Sequence, residues 1–457
     1  MKEAVFLQEV KEIQLLKNAL TLLDWDSSTG MPEKSSPFRG EVEGYLTGLY
    51  FERSIGPVIQ EALAYFETRP EELSELGKLV FEKVKEEYAL NKNVPAERMQ
   101  EYVKVLNQAH TDWLKARAAQ DFGLLEETLT KVVAFQKEFI PYWQKEEKTP
   151  YDVLLNQFEP GMTVEKLDQV FDQVKQGIQE IRTVLAEKGM PPRTDFLSRK
   201  MTKEQQRRFV IGVVEQLGYD FSKGRLDDTV HPFMTALNRN DARITTRWEE
   251  NNFSMATFGV IHEAGHGMYE QNFDPKFDFT PLSEGASMGI HESQSLFNEI
   301  IIGSNRAFWQ KQYPFFQECA EGTFDDITFE DFYASLKETK ASLIRIDSDS
   351  LTYPLHIIIR YEIEKMLFNG SLEVADCPKL WNEKYQEYLG VSPENDLEGV
   401  LQDVHWSGGS FGYFPSYALG YMYAAQLFHA MKQELSVDEI LASEDYSDIR
   451  KGLTQHI

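Results

Sequence analysis

Cysteine is nearly absent: the 457 residues hold two, Cys319 and Cys377, far apart and in no Cys-x-x-Cys. That excludes a disulfide framework and a cysteine-based zinc cluster. Sparse cysteine suits a reducing compartment, so a cytoplasmic location is expected. Long apolar runs are also missing. No window approaches the ~18 apolar residues of a membrane helix. The opening MKEAVFLQEVKEIQ carries glutamates where a signal peptide needs an apolar core. Positive charge is in deficit, with 47 Lys and Arg against 74 Asp and Glu and a net charge of −27. Such a field repels phosphate backbones and anionic lipid, so neither nucleic acid nor a membrane is an expected partner. Glycine-rich phosphate loops, internal repeats and Pro/Gly/Ser linkers are absent. The chain therefore reads as one domain over 1–457. The best candidate for a break between lobes is 188–193 (KGMPPR).

What is present is helix. Hydrophobic residues make up 42 % and charged residues 26 %, the balance of a globular protein. Phe6, Val10, Ile13, Leu16, Leu20 and Leu23 recur at three- and four-residue steps, as do Leu167, Val170, Phe171, Val174, Ile178, Ile181 and Leu185. Thr202 with Gln205, and Ser436 with Glu439, have capping-box spacing. Alternating strand patterns are scarce. The fold class is mostly α, with at most a small β-hairpin around Asp241–Trp248, where Arg243-Ile244-Thr245-Thr246-Arg247-Trp248 alternates.

Histidine is unevenly spread: His231, His262, His266, His291, His356 and His405, six of nine, fall between 231 and 405. Among them is His262-Glu263-Ala264-Gly265-His266. Histidines at i and i+4 share one helical face, so both imidazoles can reach one zinc ion, with Glu263 beside it to take a proton from water. A catalytic zinc needs a third protein ligand and an open position. Tyr269 and Asn272 occupy the places where a metzincin would have Gly and His. The segment from Ser283 offers Glu284, His291, Glu292 and Glu299. A glutamate on a second helix twenty to thirty residues on is the gluzincin arrangement, which selects Glu292. His291 is then expected beside the substrate or behind the ligands, and Glu284 and Glu299 as surface charge or helix caps.

With these motifs in place, the chain resembles the carboxypeptidase Taq family of zinc metallocarboxypeptidases along most of its length. Leu23-Asp24-Trp25-Asp26 with Thr29-Gly30-Met31-Pro32 resembles its N-terminal signature. His231-Pro232-Phe233 is similar to HPF, Asp241 to Thr245 to DxRxT, and His291-Glu292-Ser293 to HES. Ile344 to Asp349 is similar to IRxxAD, with Ser348 where Ala is usual, and GYFPSYALG from Gly412 to Gly420 is similar to the C-terminal motif. The resemblance implies a two-lobed helical gluzincin body, neurolysin-like, with a deep substrate groove, and a homodimer. The catalytic motifs fall within 231–421.

A second resemblance, of His405-Trp406-Ser407-Gly408-Gly409 and the following Tyr417 to neurolysin-like oligopeptidases, implies that Tyr417 donates to the oxyanion. Tyr413 and Tyr421 are its reserves, and His405 is placed near the substrate backbone. A carboxypeptidase must also recognise a free carboxylate, which guanidinium does with paired hydrogen bonds. The resemblance makes Arg345 and Arg243 the candidates, with Asp241, Asp347 or Asp349 to orient them, and His231 as a groove residue. Gly408 to Gly412 formally fits GxSxG, but that serine elbow needs a strand before it.

The expected activity is release of single C-terminal amino acids from peptides with a free C-terminal carboxylate, by attack of zinc-activated water. Co²⁺ is expected to substitute, since imidazole and carboxylate select weakly between the two ions. The alternatives are an oligopeptidase or dipeptidyl carboxypeptidase on the same scaffold, or a non-catalytic zinc-binding helical protein.

Overall fold

The structure, a computed structural model, describes residues 1–370, 372–443 and 445–456. It is mostly helical, and among the described residues the buried apolar side chains gather in three clusters. In the first, Phe6, Val10 and Ile13 of the N-terminal helix Glu3–Thr29 pack on Ile59, Phe66, Val80 and Phe81. The second gathers Leu129, Phe139, Leu154, Phe171, Ile358 and Trp381. The third gathers Phe209, Val213, Val260, Trp309 and Phe316.

The sequence periodicities map onto these clusters unevenly, for a physical reason. In the N-terminal helix only Phe6, Val10 and Ile13 of the stripe are buried, while Leu16, Leu20 and Leu23 are half-buried. Residues 14–21 leave the core and form a cavity wall instead. The helix Val164–Lys188 buries Leu167, Phe171 and Ile178, whereas Ile181 and Leu185 are exposed beyond the end of the core. That helix ends at Lys188, and the next, Lys203–Leu217, starts in the third cluster. Thr202 and Gln205 make both bonds of the capping box, at 3.3 and 2.8 Å. Ser436 makes no side-chain cap, contrary to its spacing, because its ψ of 72° does not present the hydroxyl to the helix.

Asp241–Trp248 is not itself a hairpin. Asp241–Thr246 is β3, the central strand of a three-stranded sheet in the order β1-β3-β2. β1 (Leu226–Asp228) runs parallel to it and β2 (Met234–Asn238) antiparallel. The hairpin is β2–β3, turning at Arg239–Asn240. β1 has only three residues and β2 reads Met-Thr-Ala-Leu-Asn, so neither carries a clear period-two signal. The sheet ties three motifs together. The Thr245 hydroxyl exchanges hydrogen bonds with the Phe233 backbone, at 2.9 Å each way. Trp25 lies under the guanidinium groups of Arg243 and Arg225, at 4.5 and 5.3 Å.

Three helices frame the site: Phe253–Gln271, Met288–Leu296 and Pro415–Glu434. Glycine lets them approach closely. A Cβ on Gly265 would lie 2.6 Å from the Gln294 carbonyl oxygen, and one on Gly420 2.6 Å from Glu292 Cγ. The start of the helix Met288–Leu296 is fixed by a distant carboxylate. Glu159 accepts from Gly289 N–H and the Ser287 hydroxyl at 2.9 Å, and from the Tyr423 hydroxyl at 3.0 Å. Negative charge at a helix N-terminus is favourable. The helix then widens into a π-helical turn, Phe297–Ile302, which carries Glu299.

Candidate active site

His262 and His266 leave the same face of their helix, one turn apart, and Glu292 meets them from the next helix. Glu292 Oε2 lies 3.8 Å from His262 Nε2 and 3.4 Å from His266 Nε2. One ligand atom from each of the three lies within 4.8 Å of the others. Two imidazole nitrogens and one carboxylate oxygen suit a divalent cation and leave coordination positions free. The residues therefore fit the ion that the motif calls for.

Each imidazole is also held from behind. His262 Nδ1 lies 2.7 Å from Glu299 Oε2. His266 Nδ1 lies 2.7 Å from His291 Nδ1, and His291 Nε2 lies 2.9 Å from Glu270 Oε1. Glu299 is thus neither surface charge nor a helix cap. Glu270 escapes sequence reading, although it continues the face of 262 and 266 by four more residues.

The charged groups are strongly perturbed. Burial disfavours a cationic His262, but Glu292 and Glu299 raise it to about 10. Burial holds His266 down to about 4. Burial also pushes Glu263 up to about 7, with His262 pulling the other way. Glu292 is as enclosed, yet His262 and His266 overcome burial and keep it below the usual range.

The three ligands and Glu263 line a cavity of about 750 Å³. Lys17 and Asn18 of the N-terminal helix, residues 232–240 of the β2 arm, and Tyr413 and Tyr417 complete its wall. The Tyr417 hydroxyl lies 3.2 Å from His405 Nε2, and its ring meets that of Tyr413 edge-on. Burial lowers His405 to about 4, so it is neutral near pH 7. Tyr421 packs against Tyr353 instead. The cavity's lysine and arginine are Lys17, ion-paired with Glu284, and Arg239, paired with Asp278 at 3.0 Å. Glu284, expected as a cap or surface charge, sits on the same wall.

The motif arginines lie elsewhere. Arg345 is only 8 % exposed and binds Asp403 through Nε and Nη2, at 2.9 and 2.8 Å, and the Tyr353 hydroxyl through Nη1. Its guanidinium sits 5.2 Å from the Tyr417 ring centre. Asp347 and Asp349 do not orient it. Asp349 accepts from Leu351 and Thr352 N–H and so caps the following turn. Arg243 pairs with Asp241, as expected, at 2.7 and 2.8 Å. His231 is exposed. Gly408 to Gly412 lies in turns, and among the described residues no strand precedes it closer than β3. The loop is held by Glu364, which accepts from Trp406 Nε1 at 2.6 Å and Gly412 N–H at 2.8 Å.

A helical body bearing His262, His266 and Glu292, with Glu263 beside them in one cavity, defines a metallopeptidase of the gluzincin type. The model of the carboxypeptidase Taq (M32) metallopeptidase family matches residues 5–457, and the chain belongs to that family. It is 46 % identical over 456 residues to Carboxypeptidase 1 of Bacillus subtilis, covering 100 % of this chain and 91 % of that protein. It is 36 % identical over 436 residues to Thermostable carboxypeptidase 1 of Thermus thermophilus, covering 93 % and 85 %. The solved structure of Trypanosoma cruzi metallocarboxypeptidase 1 superposes with a TM-score of 0.95 at 34 % identity, covering 100 % of this chain and 92 % of that one. The protein is thus a metallocarboxypeptidase, a peptide hydrolase on a mostly α fold. Among the described residues, no helix is long and apolar enough to cross a membrane.

Proposed function

We propose that the chain, as one catalytic domain over 1–457 with a lobe break at 188–193, holds one zinc ion on His262, His266 and Glu292. It then releases single amino acids from the free C-terminus of peptides. The observation that carries this reading is the convergence of those three ligands, within 4.8 Å of one another, on the cavity that Glu263 and Tyr417 share. Co²⁺ accepts the same donors. When bound, the ion supplies Lewis acidity toward the scissile carbonyl and lowers the pKa of water toward ~7. Glu263 takes a proton from the attacking water and returns it to the leaving nitrogen. Tyr417 donates its hydroxyl hydrogen to the oxygen that gains charge, and in the resting site that hydroxyl lies 3.2 Å from His405 Nε2. Tyr413 stands next to it as the alternative donor.

The terminal carboxylate needs a cation. Arg345 and Arg243 carry the family motifs, but both are tied to aspartates and neither lines the cavity. Lys17 and Arg239 line it, and a carboxylate can exchange with their partners Glu284 and Asp278. We assign recognition to these two and give Arg345 the support of Tyr417. A cytoplasmic homodimer completes the reading. Phe38, Val42 and Tyr45 are exposed on the helix Ser36–Ser54, which buries no residue of its own, and both cysteines are free. Light scattering should give twice the chain mass, falling to one in Phe38→Glu.

The test is mass spectrometry of products from an unblocked peptide of about ten residues and its C-terminal amide. The free acid should lose one residue at a time and the amide should resist. Lys17→Ala and Arg239→Ala should each lower kcat/KM on the free acid by up to about fivefold, the effect of losing a partly exposed ion pair worth ~1 kcal/mol. Release of internal fragments or dipeptides would move the protein to the oligopeptidase reading.

A further inference from the structure

We propose that Glu270 and His291 form a relay that fixes the metal-binding tautomer of His266, and that it is the weaker of two unequal supports, the stronger being Glu299 on His262. The inference rests on the metal reading above.

The argument is one of proton placement. His266 offers Nε2 to the ligand triangle, so the hydrogen of its neutral ring sits on Nδ1. That atom faces His291 Nδ1 at 2.7 Å. Two N–H groups cannot face each other at this distance, so His291 Nδ1 is the acceptor. The hydrogen of His291 is then on Nε2, which points at Glu270 Oε1, 2.9 Å away. A single arrangement satisfies all four atoms, and the Glu270 carboxylate selects it.

Packing fixes the relay in space. The His291 ring lies 4.6 Å from that of His266 and meets the Tyr269 ring edge-on at 5.3 Å. Gly285 leaves room for it, since a Cβ there would lie 2.8 Å from His291 Cδ2. Glu270 is itself only 8 % exposed, so little water competes for its oxygen. On the other ligand the carboxylate acts directly, Glu299 Oε2 lying 2.7 Å from His262 Nδ1. A carboxylate in contact raises the basicity of an imidazole ligand more than one acting through a neutral ring. Loss of such supports weakens metal affinity by about 10- to 100-fold.

The expected effects are therefore graded. Glu299→Gln should weaken zinc binding by about 100-fold and Glu270→Gln by about tenfold, near the two ends of that range. Because Glu270 acts only through His291, Glu270→Gln should add nothing to His291→Phe. Glu299→Gln should multiply with either, since the two arms share no partner. The experiment titrates zinc against a chromophoric chelator for the wild type, the three single variants and the Glu270→Gln/His291→Phe and Glu299→Gln/His291→Phe doubles. Far-UV circular dichroism checks the fold, and the Nδ1–H signal of His266 is followed by ¹H–¹⁵N NMR of the zinc-loaded protein. That signal should be present in the wild type and lost in His291→Phe. Glu270→Gln keeps side-chain volume, so it carries the test if His291→Phe does not fold. Unchanged affinity in Glu270→Gln, or losses for Glu270 and His291 that multiply, overturns the relay. A wild type that binds no zinc at one per chain overturns the metal reading itself.

Discussion

Glu263 and Glu292 stand in one cavity wall, yet their surroundings push them apart. Burial governs Glu263 and lifts it to about 7, whereas two histidines hold Glu292 ionised. Environments that separate two carboxylates in this way separate their roles. Glu263→Gln should keep stoichiometric zinc, measured by atomic absorption, and lose ~10²–10⁴ in turnover, the range for a positioned general base. Asp403 gives a pH signature. Burial disfavours its charge, but Arg345 and Arg360 override it and hold the carboxyl well below the usual range. A depressed acid contributes stability that is present above the unfolded-state value near ~4 and lost as pH falls through the folded one. Asp403→Asn should thus cost about 3–5 kcal/mol at pH 7, the cost of stranding a buried charge. The gap in Tm should narrow as pH drops below about 4. Helix spacing singles out His262, Glu263 and His266, because ligand chemistry imposes it within one helix, whereas Glu292 is chosen over Glu284 and Glu299 only by the gluzincin arrangement. Asp403 and Glu270 stay hidden, because their partners are set by tertiary packing and no local pattern marks them.

Helix contacts translate these side chains into a site. Gly420 lets the helix Pro415–Glu434 press on Glu292, and Gly265 lets the two ligand helices touch. A methyl at 420 has no room beside the Glu292 side chain. Gly420→Ala should therefore cost about 1–3 kcal/mol, as overpacking does. It should also weaken zinc binding with no ligand removed, a pairing that calorimetry and chelator titration read together. The apolar stripes of the long helices are legible in the sequence because burial on one face imposes a 3.6-residue period. β1 and β2 are not legible: β1 has only three residues and pairs with β3 across a long connection, and β2, though its hairpin is local, reads Met-Thr-Ala-Leu-Asn without a clear alternation. The close approach at Gly420 is unreadable for a similar reason, since a lone glycine in a helix does not say which neighbour it admits.

At the scale of the whole molecule, the ligands and the cavity differ in where they lie along the chain. The three ligands span only 262–292, whereas the walls draw on 14–21, 232–240 and 413–417. Contacts distant in sequence carry the larger loop-closure cost and form later. During synthesis the ligand helices are complete while more than a hundred residues remain to be added, and Tyr413 and Tyr417 are among those. Gly420 of the helix that presses on Glu292 is among them too, so the ligand triangle and the groove wait for the same late segment. In refolding, zinc uptake followed by a chromophoric chelator should therefore return together with peptidase activity. A newly made protease should thereby stay inactive toward the unfolded chains around it until Tyr413 and Tyr417 reach the wall that residues 14–21 supply.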